Sequence, residues 1–196
     1  TTRDKKALLN TYGDAFAGSV FTTPDGQALA SNSHVTLTGA TVDNLETGAL
    51  SPDNLWTLVQ SLANQKAQDG SDGSHRMEGF LSNFNNYKLA KEIMNSSLLA
   101  DSAENNINVF DTDYGAVRIG ASIYLNTAYN AATNAATSYH IVSRDHQIHR
   151  KVFYPLTTDM KTPKETNNDT HAYVAKFHEV CFPGTWTGEA SSNGSV

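Results

Sequence analysis

Apolar and polar positions follow their most regular pattern in the middle of the chain, over residues 76–125. A short apolar run over residues 77–81 predicts a β-strand. Apolar side chains then recur every three or four positions, which predicts an amphipathic helix whose start is capped by Asn83 or Asn85. Residues 116–125 alternate apolar and polar side chains, which is typical of a half-buried strand. The centre of the chain is therefore predicted as strand, helix, loop and strand.

Two further helices are predicted upstream of this centre. Residues 2–17 place apolar side chains on one helical face, and Gly18 ends the segment. Because this helix begins almost at the first residue, we expect it to be the end of a longer one. Ser51 as N-cap and Pro52 at the first helical position predict another helix that runs to about Gln68.

Downstream of the centre the pattern favours strands. Residues 139–143 and 148–154 predict two of them, and Pro155 is expected to break the second. Residues 159–169 have the composition of a loop. Residues 170–182 carry apolar or amphipathic side chains at alternate positions on both faces, so this strand is predicted to lie centrally in a sheet.

Composition narrows the class of protein. The 196 residues suffice for one substantial core, and we expect a single cooperative unit. Only 17% of residues are charged, the mean hydropathy is -0.43 and the net charge is -6, so uncharged Asn, Thr, Ser and Gly supply the polarity. The chain lacks the basic runs of a nucleic-acid-binding protein and an apolar segment of membrane-spanning length. We therefore predict no sequence-specific nucleic acid partner and no membrane association.

Seven histidines suggest a search for a metal site. Zinc needs three or four converging N, S or O ligands, and the sequence has neither an HExxH nor a CxxC motif. Histidines in such contexts are more often surface or strand-pairing residues. We predict no metal and no cofactor, and the best candidates for a metal site are His140, His146, His149 and Glu179.

Two pairs of residues are weaker candidates for chemistry. Asp111 and Asp113 precede a predicted turn at residues 114–115 and, in an extended segment, would place two carboxylates on one side, for acid/base work or for calcium. A solvated turn is the simpler interpretation. Asp25 and His34 can pair across the tight turn that Pro24 starts, although a catalytic site needs a third group.

Other signatures of function are missing or non-specific. The sequence has no GxSxG, GxxxxGK[ST] or GxGxxG motif. Trp56 and Trp186 can form a sugar-binding platform or serve as buried anchors. The single cysteine, Cys181, is interpreted as a buried thiol rather than a redox group. No catalytic residues are predicted, and the protein is not expected to be an enzyme.

Four short passages carry loose motifs that occur together, and in this order, in one protein family. They are residues 23–34, which contain DG-x-x-L-x-S-x-x-H; residues 50–62, which begin LS-x-x-x-L; residues 90–96, close to A-x-E-I-L-x-S; and residues 105–110, which contain N-x-x-N-V. Over residues 11–182 the chain resembles the tailed-phage major capsid proteins of the Hong Kong 97-like fold. Residues 79–84 depart from that family, which has an apolar VPP run there. The resemblance begins after the family's N-terminal arm, E-loop and most of its spine helix, which clasp neighbouring subunits.

The resemblance implies an α+β, Hong Kong 97-like capsid fold with peripheral and axial lobes, in which a few helices flank mixed or antiparallel sheets. Residues 1–50 would hold the end of the spine helix and peripheral-lobe strands, and residues 51–145 the axial-type lobe. Residues 146–186 would form the return strands of the peripheral lobe, and residues 187–196 a flexible tail. Loops near residues 126–138 would surround the capsomer axis.

The resemblance also implies a function. The chain would be a structural subunit of a phage capsid shell that assembles with itself into hexamers and pentamers enclosing DNA. Scaffold or portal proteins would be its other partners. It would reside in the virion after assembly in the cytoplasm of a bacterial host. Two alternatives stay open, namely a histidine-based metal-dependent enzyme and an extracellular module that binds carbohydrate or protein.

Overall fold

The computed structural model describes residues 8–97, 107–126, 137–161 and 172–194, and these combine helices with mixed sheets. The helical elements are α1 (Pro52–Ala63), α2 (Phe84–Asn95) and α3 (Val109–Tyr114), with a π-helical turn at Leu9–Gly13 and a 3₁₀ turn at Ile123–Asn126. The strands are β1 (His34–Val35), β2 (Thr41–Val42), β3 (Leu45–Glu46), β4 (Met77–Ser82), β5 (Arg118–Ala121), β6 (Tyr139–Ser143), β7 (Ile148–Lys161), β8 (Ala172–Pro183) and β9 (Glu189–Ser192). The predicted α+β class is confirmed at this level.

The helix predicted over residues 2–17 lies partly outside the described residues, which begin at residue 8. Its described part is the π-helical turn, and the chain turns away after it. Asp14 fixes that turn, because its carboxylate accepts hydrogen bonds from the backbone N–H groups of Ser19 at 2.9 Å and Val20 at 2.7 Å. The predicted end at Gly18 is wrong, because the helical turn stops at Gly13. Gly18 has a φ of 59°, in the left-handed region that glycine adopts readily.

Helix α1 begins where the sequence predicted and ends earlier. The Ser51 hydroxyl accepts a hydrogen bond from the backbone N–H of Asn54 at 3.2 Å, which confirms the N-cap. The predicted end at Gln68 is wrong, because the helix stops at Ala63. Beyond it, the chain forms a tight turn in which Ala67 N–H donates to the Ser71 carbonyl at 2.8 Å.

The central strand and helix are confirmed. Strand β4 is followed at once by α2, and Asn83 is its N-cap, with the side-chain oxygen accepting from Asn86 N–H at 2.9 Å. Ala90, Ile93 and Met94 form the buried stripe of α2 that the three- and four-residue spacing predicted.

The strand predicted over residues 116–125 is wrong in most of its length. Within these residues the structure has only the short strand β5 and a 3₁₀ turn, and helix α3 precedes them. Asn108 starts α3, because its side-chain oxygen accepts from Phe110 N–H at 3.0 Å and Phe110 is then buried in the core. The apolar positions of the predicted strand do not share a buried face, since the Ile123 side chain is 62% exposed.

Five of the described strands form the main sheet, in the order β3-β9-β6-β4-β5. β9 is an inner strand, parallel to β3 and antiparallel to β6, and its four residues are all buried. The predicted flexible tail over residues 187–196 is therefore wrong for β9. Sequence reasoning took serine and glycine as loop residues, whereas here the serine side chains hydrogen-bond within the sheet.

One apolar core lies between the main sheet and the three helices. Tyr139 and Ile141 face it from β6, while His140, between them, points to the opposite side of the sheet, as strand alternation requires. The buried members of the core are Leu50, Leu55, Leu58, Val59, Leu62, Met77, Phe80, Ala90, Ile93, Met94, Phe110, Tyr139, Ile141 and Ala190. Fully burying a side chain of this kind contributes about 1.5 to 3 kcal/mol, so this core is the main stabilising feature of the fold.

Strands β7 and β8 pair with each other in a separate two-stranded antiparallel sheet, here named the β7–β8 ribbon. The predicted break at Pro155 is wrong. β7 continues to Lys161, and the pairing register merely shifts between Tyr154 and Thr157, where a residue without an N–H is tolerated. The predicted loop over residues 159–169 is likewise wrong at residues 159–161.

The prediction that residues 170–182 form a central strand is also wrong, since β8 pairs only with β7 among the described residues. The described part of β8 is partly buried from Glu179 to Phe182, where Phe182 lies 6.4 Å from Phe21 between ring centroids. Residues 162–171 and most of the predicted axial loop near residues 126–138 lie outside the described residues. The peripheral and axial lobes remain predictions.

Candidate functional site

The four candidate metal ligands lie in different settings. His140 is buried in β6, His146 follows the turn after that strand, and His149 is exposed on β7 with its ring 5.8 Å from that of Phe182. Glu179 on β8 accepts from the Arg150 guanidinium at 2.8 Å. In the described parts of the chain, no group of three His, Cys, Asp or Glu side chains is placed to hold a metal ion. His171 lies outside those parts.

His140 belongs instead to a buried polar cluster that sequence reasoning missed. Its Nδ1 lies 2.6 Å from the hydroxyl of Ser191, and that hydroxyl donates to the carboxylate of Glu189. The same Nδ1 is 3.7 Å from Glu189 Oε1. The rings of Tyr12 and Phe16 cover the imidazole at 4.9 and 5.5 Å between centroids.

Two amide side chains extend this cluster and bind β9 to distant parts of the chain. The Asn44 amide donates to the Glu189 carbonyl at 3.2 Å and to its carboxylate at 3.3 Å. The Gln65 amide donates to the same carbonyl at 2.6 Å, and its oxygen accepts from Gly188 N–H at 2.9 Å. We name the set of Asn44, Gln65, His140, Glu189 and Ser191 the β9 cluster.

Tyr12, whose ring covers His140, is itself removed from water, and this changes the pKa of its phenol. Removal from water, followed by the nearby negative charge of Glu189, raises the pKa of Tyr12 well above its ordinary value of 10.0. Tyr12 therefore remains a neutral phenol throughout the physiological range. The β9 cluster is closed to solvent on this side.

A serine, a histidine and a glutamate in contact call for comparison with a nucleophilic relay. In such a relay the two ring nitrogens serve different partners, one the hydroxyl and one the acid. Here Ser191 and Glu189 approach the same nitrogen of His140, and all three side chains are buried. The arrangement holds strands together and gives a substrate no access to the hydroxyl.

The predicted pairing of Asp25 and His34 is confirmed. His34 Nδ1 donates to Asp25 Oδ2 at 2.8 Å, and Nε2 faces the Leu29 carbonyl at 3.1 Å. Both partners are acceptors, so both ring nitrogens are satisfied only when the ring carries two protons. The ring of Trp186 stacks on His34 at 4.7 Å between centroids and 11° between planes.

The Asp25 carboxylate is held by several donors besides His34. Burial alone would raise the pKa of Asp25. Hydrogen bonds from the Thr23 hydroxyl, His34 and the Gln27 N–H, together with the charge of His34, outweigh that effect, so the pKa lies below its ordinary value of 3.8. Asp25 is thus an ionised partner for His34. His34 and Trp186 are both fully buried, so the arrangement is interpreted as a structural link.

The remaining sequence candidates do not form sites. Asp111 and Asp113 are exposed on the short helix α3, so the predicted extended arrangement is wrong. Trp186 is fully buried, while Trp56 packs edge-on against Phe110 at 5.8 Å, so the two tryptophans do not share a sugar-binding face.

The β7–β8 ribbon, a sheet of only two described strands, exposes apolar side chains to solvent. Val152, Phe153 and Met160 are 46, 48 and 49% exposed. The Phe153 ring stacks on His178 at 5.0 Å, and the ammonium of Lys151 lies 5.2 Å from its centre. Sequence reasoning missed this surface, because it placed β8 inside a sheet.

Comparison with known proteins gives few matches. No family model and no curated protein matches the sequence. Among solved structures, the chain is similar to the capsid of Myoviridae Phage XM1, with 12% identity and a TM-score of 0.47. The match covers 84% of this chain and 58% of that one, so this chain spans less than two thirds of its length. A likeness at this level carries no argument, and the Hong Kong 97-like fold remains a prediction. No helix in the described residues has the length and apolarity to span a bilayer.

Proposed function

We propose that this chain is a structural subunit of a phage capsid shell. The observation that carries the proposal is the β7–β8 ribbon, in which Val152, Phe153 and Met160 of β7 are exposed to solvent and the two strands pair with no third strand among the described residues. The sequence resemblance of residues 11–182 to the tailed-phage capsid proteins agrees with it. In this proposal the protein acts through contacts with copies of itself and needs neither catalysis nor a cofactor.

The ribbon has the dimensions of an intersubunit contact. β7 has 14 residues, which at about 3.4 Å per residue extend over roughly 45 Å. An isolated two-stranded ribbon is at best marginally stable in water, because it buries little apolar surface. A neighbouring subunit that packs on the ribbon would cover its exposed residues and stabilise both chains. An exposed strand edge of this kind is also a template for pairing with another chain.

The finer features of the proposal follow from symmetry and from the family resemblance. A ring reuses one contact around an axis, so a weakly charged surface suits pentamers and hexamers. These rings would close into a shell around DNA, with scaffold or portal proteins as further partners. The subunit would be made and assembled in the cytoplasm of a bacterial host and would remain in the virion.

Sedimentation velocity over a range of concentrations, with negative-stain microscopy of the largest species, tests the proposal. We expect concentration-dependent assemblies with rings of five or six subunits. Phe153→Lys should shift the population towards monomer, because it places a charge in the contact. Leu37→Lys is the matched control, since Leu37 is 81% exposed, belongs to neither strand of the ribbon and donates its N–H to the Gln68 carbonyl. Circular dichroism should show both variants folded.

Two results would contradict the shell proposal. A chain that stays monomeric at every concentration does not self-assemble, and a Phe153→Lys variant that assembles like the unaltered chain does not use the ribbon. The same runs with a chelator address the metal-dependent alternative, which requires the mass or stability to change when metal is removed. No specific observation in the described residues favours that alternative or the carbohydrate-binding one.

A further inference from the structure

An open cleft of about 650 Å³ lies at one end of the main sheet, where β4 and β5 begin and β6 ends. Three exposed arginines line it, namely Arg76, Arg118 and Arg144. In a chain of net charge -6 this is an unusual local concentration of positive charge. The volume lies within the range of ligand-binding clefts, about 300 to 1,000 Å³.

Strand register explains why the arginines lie together. Met77 on β4 pairs with Ser143 on β6, and Arg76 and Arg144 are the next residues outward on the two chains. On the other side of β4, Arg118 pairs with Gly79. Because adjacent strands lie about 4.8 Å apart, the three residues are distributed over roughly 10 Å of the sheet.

Glycine keeps the middle of this cleft free of a side chain. Gly79 lies between Arg118 on β5 and Val142 on β6. A Cβ added at Gly79 would lie 2.8 Å from Val142 Cγ2, closer than two such atoms can approach. The backbone of β4 is therefore bare between the flanking strands.

The other charged groups of the cleft offset two of the three positive charges and leave its lining with a formal charge of +1. Glu78, Asp113 and His146 also line it, but neither carboxylate forms an ion pair with the three arginines in the described structure. Arg76 uses its guanidinium differently, since it donates to the backbone carbonyl of Asp113 and lies over the ring of Tyr114 at 5.3 Å. Among the described residues, the guanidinium groups of Arg118 and Arg144 have no hydrogen-bond or ion-pair partner, so their donors are available to a ligand.

In the described strand register, no two of the three arginines are cross-strand partners, so their side chains can converge on a ligand that bridges the strands. Guanidinium groups bind phosphate through paired, charge-assisted hydrogen bonds. The carboxylates of Glu78 and Asp113 repel an anion in the same cleft, so a ligand has to contact at least two of the guanidinium groups to bind. The width of the cluster suits two or more phosphate groups.

We propose that the cleft between Arg76, Arg118 and Arg144 binds a ligand with two or more phosphate groups, either a free oligophosphate or the backbone of a nucleic acid. Binding of this kind reads charge and not base sequence. The proposal does not rest on the shell function and holds for a monomer as well as for an assembled subunit.

Titration calorimetry at low salt tests the proposal with two probes, sodium tripolyphosphate and a short DNA duplex of arbitrary sequence. We expect binding that weakens as salt is added. Arg118→Gln and Arg144→Gln should each weaken it by about tenfold or more, because each removes a charge-assisted contact. Lys88→Gln is the matched control, since it removes one positive charge from an exposed position on α2 and should leave affinity unchanged.

The two probes distinguish the source of the phosphate. Binding of tripolyphosphate alone identifies a free oligophosphate, and binding of the duplex alone identifies a nucleic acid backbone. The proposal is overturned when neither probe binds, or when the lysine variant loses affinity as much as the arginine variants do. It is also overturned when a polyglutamate peptide binds more tightly than both probes with the same arginine dependence, because the cleft is then a site for an acidic protein segment.

Discussion

The carboxylate of Asp25 and the imidazole of His34 form a pair with 2.8 Å between Oδ2 and Nδ1, in which His34 is fully buried and Asp25 nearly so. Because Trp186 stacks on the same imidazole, the pair joins the turn after the first helical segment to the segment that leads into β9. A contact between residues nine apart thus fixes a part of the chain more than 150 residues away.

Asp25→Asn should destabilise the protein by about 2 to 3 kcal/mol, because it leaves the buried His34 without its charged partner. The free energy of unfolding in urea at pH 7 measures the effect. Asp72→Asn is a suitable control, since that carboxylate is 89% exposed in its pair with Lys66. Equal stability of the two variants would contradict a structural role for the Asp25 pair.

The same pair predicts a dependence of stability on pH. The pKa of Asp25 is lower in the folded protein than its ordinary value of 3.8, so its contribution is present above that value and is lost as the pH falls below it. Urea unfolding of the unaltered protein and of Asp25→Asn should therefore differ at pH 7 and converge at acid pH. A difference that persists undiminished at pH 3 would show that ionisation of Asp25 is not its origin.

Ionisation of Glu46 on β3 should affect the stability of the fold in the opposite direction to ionisation of Asp25. Burial, and then the negative charge of Asp43, raise the pKa of Glu46 above its ordinary 4.5, so the ionised side chain destabilises the fold above that value. Glu46→Gln should stabilise the protein at pH 7 by less than about 1 kcal/mol, because solvent screens both partly exposed groups. The gain should vanish at pH 4. A loss of stability at pH 7 would contradict this account.

Features that depend on residues close in sequence could be predicted, whereas features that depend on partners distant in sequence could not. The caps at Ser51 and Asn83 and the pairing of Asp25 with His34 act between residues close in sequence, where residue type and spacing suffice. The sequence also predicted β4, the core face of α2 and β6, where apolar periodicity matches burial. The resemblance to capsid proteins was a further prediction, one that the fold leaves open.

The errors share a physical origin. β9 has the sequence Glu-Ala-Ser-Ser, which carries no apolar pattern, and it is buried only because Asn44, Gln65 and His140 supply partners from distant elements. The helix α3 depends on Asn108 as a cap over just six residues. The β7–β8 ribbon resembles a buried strand in sequence, since an open ribbon and an inner strand can both be apolar on two faces.

The hydrogen bonds of the β9 cluster predict a large loss of stability when the Glu189 side chain is removed. Glu189→Ala should cost about 3 kcal/mol, because it leaves the buried hydroxyl of Ser191 without its acceptor and removes the carboxylate beside His140. The Asn44 amide keeps its bonds to the carbonyls of Leu29 and of residue 189. Glu189→Gln retains one side-chain oxygen and the volume, so its loss should be smaller. The two free energies of unfolding, measured at pH 7, test this order. A Glu189→Ala variant as stable as the Gln variant would mean that water or a rearranged side chain satisfies the cluster.

Removal of β9 should unfold the protein if β9 is an inner strand of the sheet, and should have little effect if these residues form a flexible tail. A chain that ends at Gly188 loses an inner strand that pairs with both β3 and β6, together with the carbonyl and carboxylate of Glu189. It also loses the hydrogen bond from the Ser192 hydroxyl to the Gly48 carbonyl, 2.7 Å long. We expect no cooperative unfolding transition and no near-ultraviolet dichroism from such a chain, whereas a chain that ends at Gly194 should retain both. If the shorter chain unfolds cooperatively with unaltered stability, β9 is not part of the folding core, and the burial of its serines has to be explained by a segment that folds after the rest.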